Sequence, residues 1–240
     1  MLRGLYESAM GMNARLTLQD VIANNLANVN STGFQREMIA IQSRPMAHGA
    51  DVGGTGSAAN AALSTEVTLF RDTQPGVQQE TGNRGDVALE GRGYLVAQTA
   101  NGPRLFRSGS LQANAQGNLA LPTGQLVEGV GGAPIRVGSA NWTISAQGNI
   151  EAGGQVLGRL HLVQAQGDVI PEGGGFSTAA SVTDLPPGAI KVRGGYLEHS
   201  NVDPIHEMVE MIAGMRAYEA GQRAIQAQDQ TLQNLFTLLQ

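Results

Sequence analysis

The stretch LRGLYESAMGMNARLTLQDVIANNLAN occupies residues 2–28 and determines how the rest of the chain can be organised. Its apolar side chains recur with spacings that alternate between three and four residues, interrupted only by Gln19. This spacing predicts an amphipathic helix that ends near Asn28, because residues 30–33 favour a turn and a helix C-cap. The series, here called the N-terminal seam, consists of Leu2, Leu5, Ala9, Met12, Leu16, Gln19, Ala23 and Leu26.

The C-terminal end of the chain has a similar pattern. Asp203 can cap a helix N-terminus, and Pro204 suits the first helical position because its missing N–H is not needed there. A second amphipathic helix is therefore predicted, and we expect residues 2–27 and 204–239 to pack against each other. The apolar series of this helix, here called the C-terminal seam, consists of Met208, Met211, Met215, Tyr218, Gln222, Ile225, Asp229, Leu232, Phe236 and Leu239.

Between these two ends the sequence favours loops and strands. Residues 48–63 are rich in Gly, Ala, Ser and Asn, which is typical of a loop or extended linker. From residue 67 onward, short apolar runs alternate with Gly- or Asn-containing turns, which indicates β-strands. Residues 115–127 also resemble residues 146–157, and each copy predicts a β-hairpin.

The predicted fold class is therefore α+β, with long N- and C-terminal helices that form a coiled-coil-like domain around an all-β middle domain. We assign residues 1–34 to the N-terminal helix of a core domain and residues 35–66 to an extended linker. Residues 67–195 form the predicted β-rich middle domain, and residues 196–240 the C-terminal helix.

Composition excludes several classes of protein. Of the 240 residues, 41% are hydrophobic and 15% are charged, so the chain is not a disordered tail. It carries 15 basic and 20 acidic residues, and the basic ones are scattered, which argues against a nucleic-acid partner. The absence of cysteine excludes a disulfide framework and a thiolate metal site. No apolar run approaches a membrane span of about 18 residues, and we expect neither membrane insertion nor a cleaved secretory signal.

No group of residues supports catalysis, cofactor binding or metal binding. The string Gly54-Thr55-Gly56-Ser57-Ala58-Ala59 resembles a phosphate loop, but no apolar strand precedes it. The four histidines have no metal-ligand spacing. Glu207 and Glu210 could form an acid–base pair, but their helical spacing favours a solvated face. The sequence therefore predicts a protein that is not an enzyme and has no cofactor.

Three motifs resemble those of bacterial flagellar rod and hook proteins. Residues 22–34, IANNLANVNSTGF, resemble the N-terminal motif of this family. LEHSNVD at 197–203, followed by Met211-Ile212 and by RAYE at 216–219, resembles its C-terminal motif. GDVALEGRGY at 85–94, with RSGS at 107–110, resembles the start of its β domain. Because the three blocks occur in the family's order, the resemblance is specific.

The resemblance implies a structural subunit of the basal-body rod, the drive shaft that transmits motor torque through the periplasm to the hook. It implies partnership with other proximal and distal rod subunits, and export by the flagellar type III apparatus. The β region is too short for a hook protein. Within the family the chain is most similar to proximal rod subunits, with distal rod subunits as the alternative, although the usual Asn-Pro-Leu-Asp is replaced by Asn83-Arg84-Gly85-Asp86.

A rival interpretation from a different class is a secreted β-rich adhesin or binding module. That interpretation requires exposed aromatic side chains, and one Trp with four Tyr is a small supply. Apolar surface left over on two paired helices instead favours polymerisation. The residues predicted to make assembly contacts come from the two seams and the two terminal motifs: Leu5, Met12, Leu16, Asn24, Asn25, Leu26, Asn28, Thr32, Gly33, Phe34, Ser200, Asn201, Val202, Met211, Ile212, Arg216, Tyr218, Glu219, Ile225, Leu232 and Phe236.

Overall fold

The computed structural model describes residues 2–45, 63–138, 141–172, 175–178 and 181–238. In this part of the chain there are two helices and nineteen strands. The helices are α1 (Leu2–Ala27) and α2 (Pro204–Leu238). The strands are β1 (Glu37–Pro45), β2 (Leu63–Arg71), β3 (Gln78–Glu80), β4 (Asp86–Glu90), β5 (Tyr94–Thr99), β6 (Gly102–Phe106), β7 (Ser108–Ser110), β8 (Gln112–Ala113), β9 (Leu119–Ala120), β10 (Leu126–Val127), β11 (Trp142–Ile144), β12 (Asn149–Ala152), β13 (Gln155–Arg159), β14 (Leu162–Ala165), β15 (Ile170–Glu172), β16 (Gly175–Ser177), β17 (Val182–Asp184), β18 (Lys191–Gly194) and β19 (Tyr196–Glu198).

The chain divides into two compact units. Unit 1 contains Met1–Ala27, Glu37–Phe70 and Asp203–Gln240, and unit 2 contains Asn28–Arg36 and Arg71–Val202. The backbone therefore passes between the units four times, at 27/28, 36/37, 70/71 and 202/203. Strand β1 lies inside the range that the sequence assigned to a linker, and residues 46–62 of that range lie outside the described residues.

Unit 1 combines α1 and α2 with the two-stranded sheet β1–β2. Asp203 caps α2, since its Oδ1 accepts hydrogen bonds from the N–H of Ile205 at 2.9 Å and of His206 at 3.4 Å. Neither helix contains, among the residues described, a stretch apolar enough to cross a membrane.

The predicted fold class is wrong, because the terminal helices do not form a long coiled-coil-like domain. α1 has only 26 residues against 35 in α2, and strands far outnumber helices in the described chain. The N-terminal seam is only partly buried: Met12 and Gln19 face α2, whereas Leu16 is 42% exposed and Ala23 is exposed. Among the α1 side chains that the structure describes, the fully buried ones are Ala14, Val21, Ile22 and Asn25.

The physical reason lies in the side chains at the helix contact. On α2 the positions nearest α1 include Gly214 and Gly221, whereas Met208 and Met215 of the predicted seam are about half exposed. A coiled coil needs large apolar side chains at these positions to fill holes on the partner helix. Glycine allows close backbone approach but supplies no such side chain.

Unit 2 is built of antiparallel sheets. Its nine-stranded sheet has the order β15-β16-β6-β5-β10-β9-β8, and β14 joins it by pairing with both β5 and β17. Smaller sheets have the orders β11-β12-β13, β18-β4-β7 and β19-β3. The main core includes Val87, Leu89, Leu95, Leu119 and Ile150, all at most 2% exposed, and the only tryptophan, Trp142, packs against it.

The internal repeat forms two copies of one motif. Strands β8-β9-β10 and β11-β12-β13 are both antiparallel three-stranded meanders. The turn after the first strand closes in the same way in each copy, with Gly117 N–H donating to Asn114 O and Gly148 N–H to Ser145 O, both at 2.9 Å. Gly117 and Gly148 have φ of 77° and 80°, a conformation that favours glycine.

Candidate assembly surface

The two helices of unit 1 pack in antiparallel orientation at the glycine positions of α2. A methyl group on Gly221 would lie 3.2 Å from Cγ of Met12, and one on Gly214 would lie 3.8 Å from Cγ of Gln19. Met12 faces the later part of α2 and Gln19 the earlier part, which defines the antiparallel direction. Along α2, six of the buried or half-buried positions follow heptad-like spacing: Glu207, Met211, Gly214, Tyr218, Gly221 and Ile225.

A buried polar side chain, Asn25, connects the two helices to each other and to the start of β1. Asn25 is 1% exposed, and its Nδ2 donates to the carbonyl of Glu37 while its Oδ1 accepts from the Glu37 N–H, both at 2.9 Å. The same Nδ2 donates to Oε2 of Glu207 at 3.3 Å. Asn25 therefore joins the end of α1 to the start of both β1 and α2 within one subunit.

Glu207 was predicted to lie on a solvated face, and this prediction is wrong because the residue is only 1% exposed. Its position in the first turn of α2 is favourable for a carboxylate, since the positive end of the helix dipole lies there. The neighbouring Glu210 is half-buried and pairs with His206 at 3.1 Å.

Another side of α2 carries an apolar stripe that stays exposed in the part of the chain that the structure describes. Its members follow one another at spacings of one or three residues, so they share one side of the helix. This α2 stripe consists of Ile205, Met208, Val209, Ile212 and Met215, which are between 45% and 70% exposed.

A groove of about 430 Å³ runs between α1 and α2 beside the stripe. Ala23 and Asp20 line it from α1, and Met211, Met215 and Tyr218 line it from α2. The groove therefore offers apolar side chains next to a carboxylate, at the place where the exposed faces of the two helices meet.

In unit 2, the C-terminal motif surrounds a buried ion pair. Nε of Arg107 donates to both carboxylate oxygens of Glu198 at 3.0 Å, and the side chains are each 1% exposed. The remaining guanidinium nitrogens donate to the carbonyls of Gly93 at 2.7 Å and Leu89 at 3.0 Å. Burial raises the pKa of the Glu198 carboxyl, and the hydrogen bond and charge of Arg107 oppose that shift.

Asn201, three residues after Glu198 in the same motif, makes three side-chain hydrogen bonds. Its Oδ1 accepts from the Arg36 N–H at 2.6 Å. Its Nδ2 donates to the carbonyls of Asp72 at 3.1 Å and Gln74 at 2.9 Å. Nearby, the guanidinium of Arg71 lies 5.7 Å from the ring centre of Phe34.

The residues predicted to make assembly contacts fall into three groups. Those already buried or half-buried within the single chain are Met12, Asn25, Leu26, Asn28, Gly33, Phe34, Ser200, Asn201, Val202, Met211, Tyr218 and Ile225. Those that are exposed are Leu16, Asn24, Thr32, Ile212, Arg216 and Glu219. The side chains that lie outside the described part of the structure are Leu5, Leu232 and Phe236. Their role in assembly remains a prediction.

Sequence reasoning missed Glu207, the glycine pair of α2, and the Arg107–Glu198 pair. Gly214 and Gly221 stand seven residues apart inside a predicted helix, where glycine is unfavourable, and that spacing is a readable signal of helix contact. The ion pair joins residues 91 positions apart, and no local sequence pattern indicates it. Within the described residues, no three His, Asp or Glu side chains are grouped as metal ligands.

Comparison with known proteins identifies relatives along the whole chain. Residues 5–35 match the family described as flagella basal body rod protein, and residues 193–238 match the C-terminal family of flagellar basal body rod FlgEFG proteins. The chain is 31% identical to the flagellar basal-body rod protein FlgG of Bacillus subtilis, across 99% of both chains. It is 34% identical to FlgF of Salmonella typhimurium across 93% of both chains, and 34% identical to FlgF of Escherichia coli across 92% of both.

Proposed function

Because the chain belongs to the family of flagellar basal-body rod proteins, we propose that it is a subunit of the proximal rod, of the FlgF type. It is a structural protein of the flagellar basal body, of the FlgF or FlgG type, and not an enzyme. The proximal position is supported by the higher identity to the two FlgF proteins, 34% against 31% for FlgG of Bacillus subtilis. The alternative, a distal rod subunit, is favoured by the fuller coverage of that FlgG protein.

The main observation in support of a subunit that assembles with others is the exposed α2 stripe. Full burial of an exposed side chain of this kind contributes about 1.5–3 kcal/mol, and because these five are already partly covered, each adds only about 0.7–2 kcal/mol when a neighbour buries it. Association costs about 4–15 kcal/mol in lost freedom of motion. One stripe therefore supports at most a weak pair of subunits. A permanent shaft requires each subunit to contact several neighbours, as subunits of a helical rod do.

The proposed partners are other subunits of the proximal and distal rod, and the flagellar type III export apparatus that delivers the chain. The proposed location is the part of the rod that crosses the periplasm. A shaft in that place must resist torsion, and helices packed side by side resist it through many small apolar contacts. The exposed α2 stripe and the groove beside it supply contacts of this kind.

The assembly proposal can be tested with one charge placed on the stripe. Ile212→Glu should abolish co-sedimentation of the purified chain with the other rod subunits, because a carboxylate would be buried at the contact. Gln226→Glu adds the same charge at an exposed position of the same helix and should leave co-sedimentation intact. Equal sedimentation of the two variants would contradict the assignment of the stripe.

The position along the rod requires a separate test. The gene for this chain should restore motility to a strain that lacks FlgF and should fail to restore it to one that lacks FlgG. Rescue of the FlgG-deficient strain alone would establish the distal alternative.

A further inference from the structure

Three stretches of unit 2 meet where the backbone passes to unit 1. They are residues 28–36, 71–76 and 198–202, and each ends at a crossing point between the units. Main-chain hydrogen bonds already join them: Asp72 N–H donates to Arg36 O at 2.9 Å, and Gly33 N–H donates to Glu198 O at 2.8 Å. These three stretches, here called the junction segments, come from distant parts of the sequence.

The Asn201 side chain bonds to both of the other junction segments. It accepts from the Arg36 N–H with Oδ1 and donates to the carbonyls of Asp72 and Gln74 with Nδ2. A carboxamide can do both at once, since it carries one acceptor and two donor hydrogens. Neither a carboxylate nor a hydroxyl of similar size offers this combination in one plane.

Glu198 provides a second connection between the same segments. Its Oε1 accepts from the Gly76 N–H at 3.2 Å, while its carbonyl accepts from Gly33. The carboxylate is itself fixed by Arg107, whose side chain is almost fully buried. The third junction segment thus holds the first and the second through two residues, one of them anchored in the core of unit 2.

We propose that Asn201 is a clamp that makes the three junction segments open and close as one cooperative segment. Displacing any one segment breaks hydrogen bonds to the other two, so local opening of one segment is coupled to opening of all three. The clamp lies wholly within unit 2 of a single chain. It therefore goes beyond the proposed rod function and can be tested without assembly.

Amide hydrogen exchange in the full chain provides the test. Asn201→Ala removes three hydrogen bonds, so exchange of the Arg36, Asp72, Gly33 and Gly76 amides should accelerate together by about 10- to 100-fold. Three of these amides have acceptors other than Asn201, and only a coupled opening accelerates them. The core amide of Val96 should exchange at the wild-type rate. Acceleration confined to Arg36 would overturn the proposal.

Asn201→Asp provides a sharper variant and decides the matter if Asn201→Ala does not fold. It keeps the acceptor for Arg36 N–H but loses both donors. A clamp predicts that the Arg36 amide accelerates together with Asp72 and Gly76, even though its own acceptor remains. Wild-type protection at Arg36 beside fast exchange at Asp72 would show that the segments open independently. Asn101→Ala, in the exposed turn between β5 and β6, is the matched control and should change none of these rates.

Discussion

Replacement of Arg107 by methionine should destabilise unit 2 more than any surface change. Methionine keeps an unbranched side chain about as long as the arginine stem out to Nε, but loses the guanidinium, its bonds to Glu198, and its bonds to the carbonyls of Gly93 and Leu89. Removing one partner of a buried ion pair costs about 3–5 kcal/mol. For a unit of this size, such a loss lowers the melting temperature by roughly 10 to 20 °C.

The loss of unfolding free energy caused by Arg107→Met should become smaller as pH falls. Burial already raises the pKa of Glu198, and loss of Arg107 removes the main opposing influence. A carboxyl whose pKa is raised in the folded state binds its proton more tightly there than in the unfolded chain. The stability that this carboxyl contributes to the folded state is therefore fully present below the ordinary pKa, and it is lost as pH rises through the raised pKa. The variant should recover part of its deficit, relative to wild type, as pH falls from neutral toward 4.5.

Fluorescence of Trp142 during urea unfolding is the appropriate measurement, because this single tryptophan packs against the core of unit 2. Arg92→Met is the matched control, since Arg92 is exposed, and it should change the unfolding free energy by less than about 0.5 kcal/mol. A deficit below about 1 kcal/mol for Arg107→Met would refute the importance of the pair. A deficit that grows on acidification would refute the pH argument.

Three further substitutions have defined outcomes. Gly214→Ala should raise the stability of unit 1 by about 0.5–1 kcal/mol, because the added methyl would lie at ordinary contact distance from Gln19, and far-UV circular dichroism of the helices will measure this. Gly76→Ala should lower the stability of unit 2 by about 1–3 kcal/mol or more, since its methyl would overlap the His199 carbonyl oxygen, and Trp142 fluorescence will detect the loss. Asn25→Leu removes two hydrogen bonds to Glu37 and one to Glu207, so the unfolding free energy of unit 1, followed by far-UV circular dichroism of the helices, should fall by about 2–4 kcal/mol. An unchanged unfolding free energy would show that these hydrogen bonds are dispensable.

Local chemistry predicted the helix boundaries better than the helix contacts. Asp203 and Pro204 are direct signals for a helix start, and α2 begins at Pro204. Which side of α1 is buried is a different question, because it depends on the partner. The seam through Leu16 has the more regular spacing, yet it is only partly buried, and the fully buried side chains include Ala14, Val21 and Ile22. Spacing alone could not show that the partner presents glycine and a buried glutamate.

The β region shows the same division between local and distant information. Alternating runs and glycine turns indicated strands, and the similarity of 115–127 to 146–157 reflects two meanders of the same form. The pairing of β14 with β5, or of β16 with β6, joins strands far apart in the sequence. Such pairings are chosen by the packing of the whole unit. The hydrogen bonds of Asn201 are of this kind too, although the residue itself stood out within a family-like motif.

The division of unit 1 into separate stretches has a consequence for synthesis. Its first stretch ends at Ala27, and its last does not begin until Asp203, so 175 residues separate the two. At about 5–20 residues per second, the ribosome needs roughly 9 to 35 s to bridge that interval. Throughout it, Met12 and Gln19 have no α2 to pack against, while unit 2 is already complete at Val202. The newborn chain thus completes unit 2 while α1 still lacks the helix that it packs against in the folded protein.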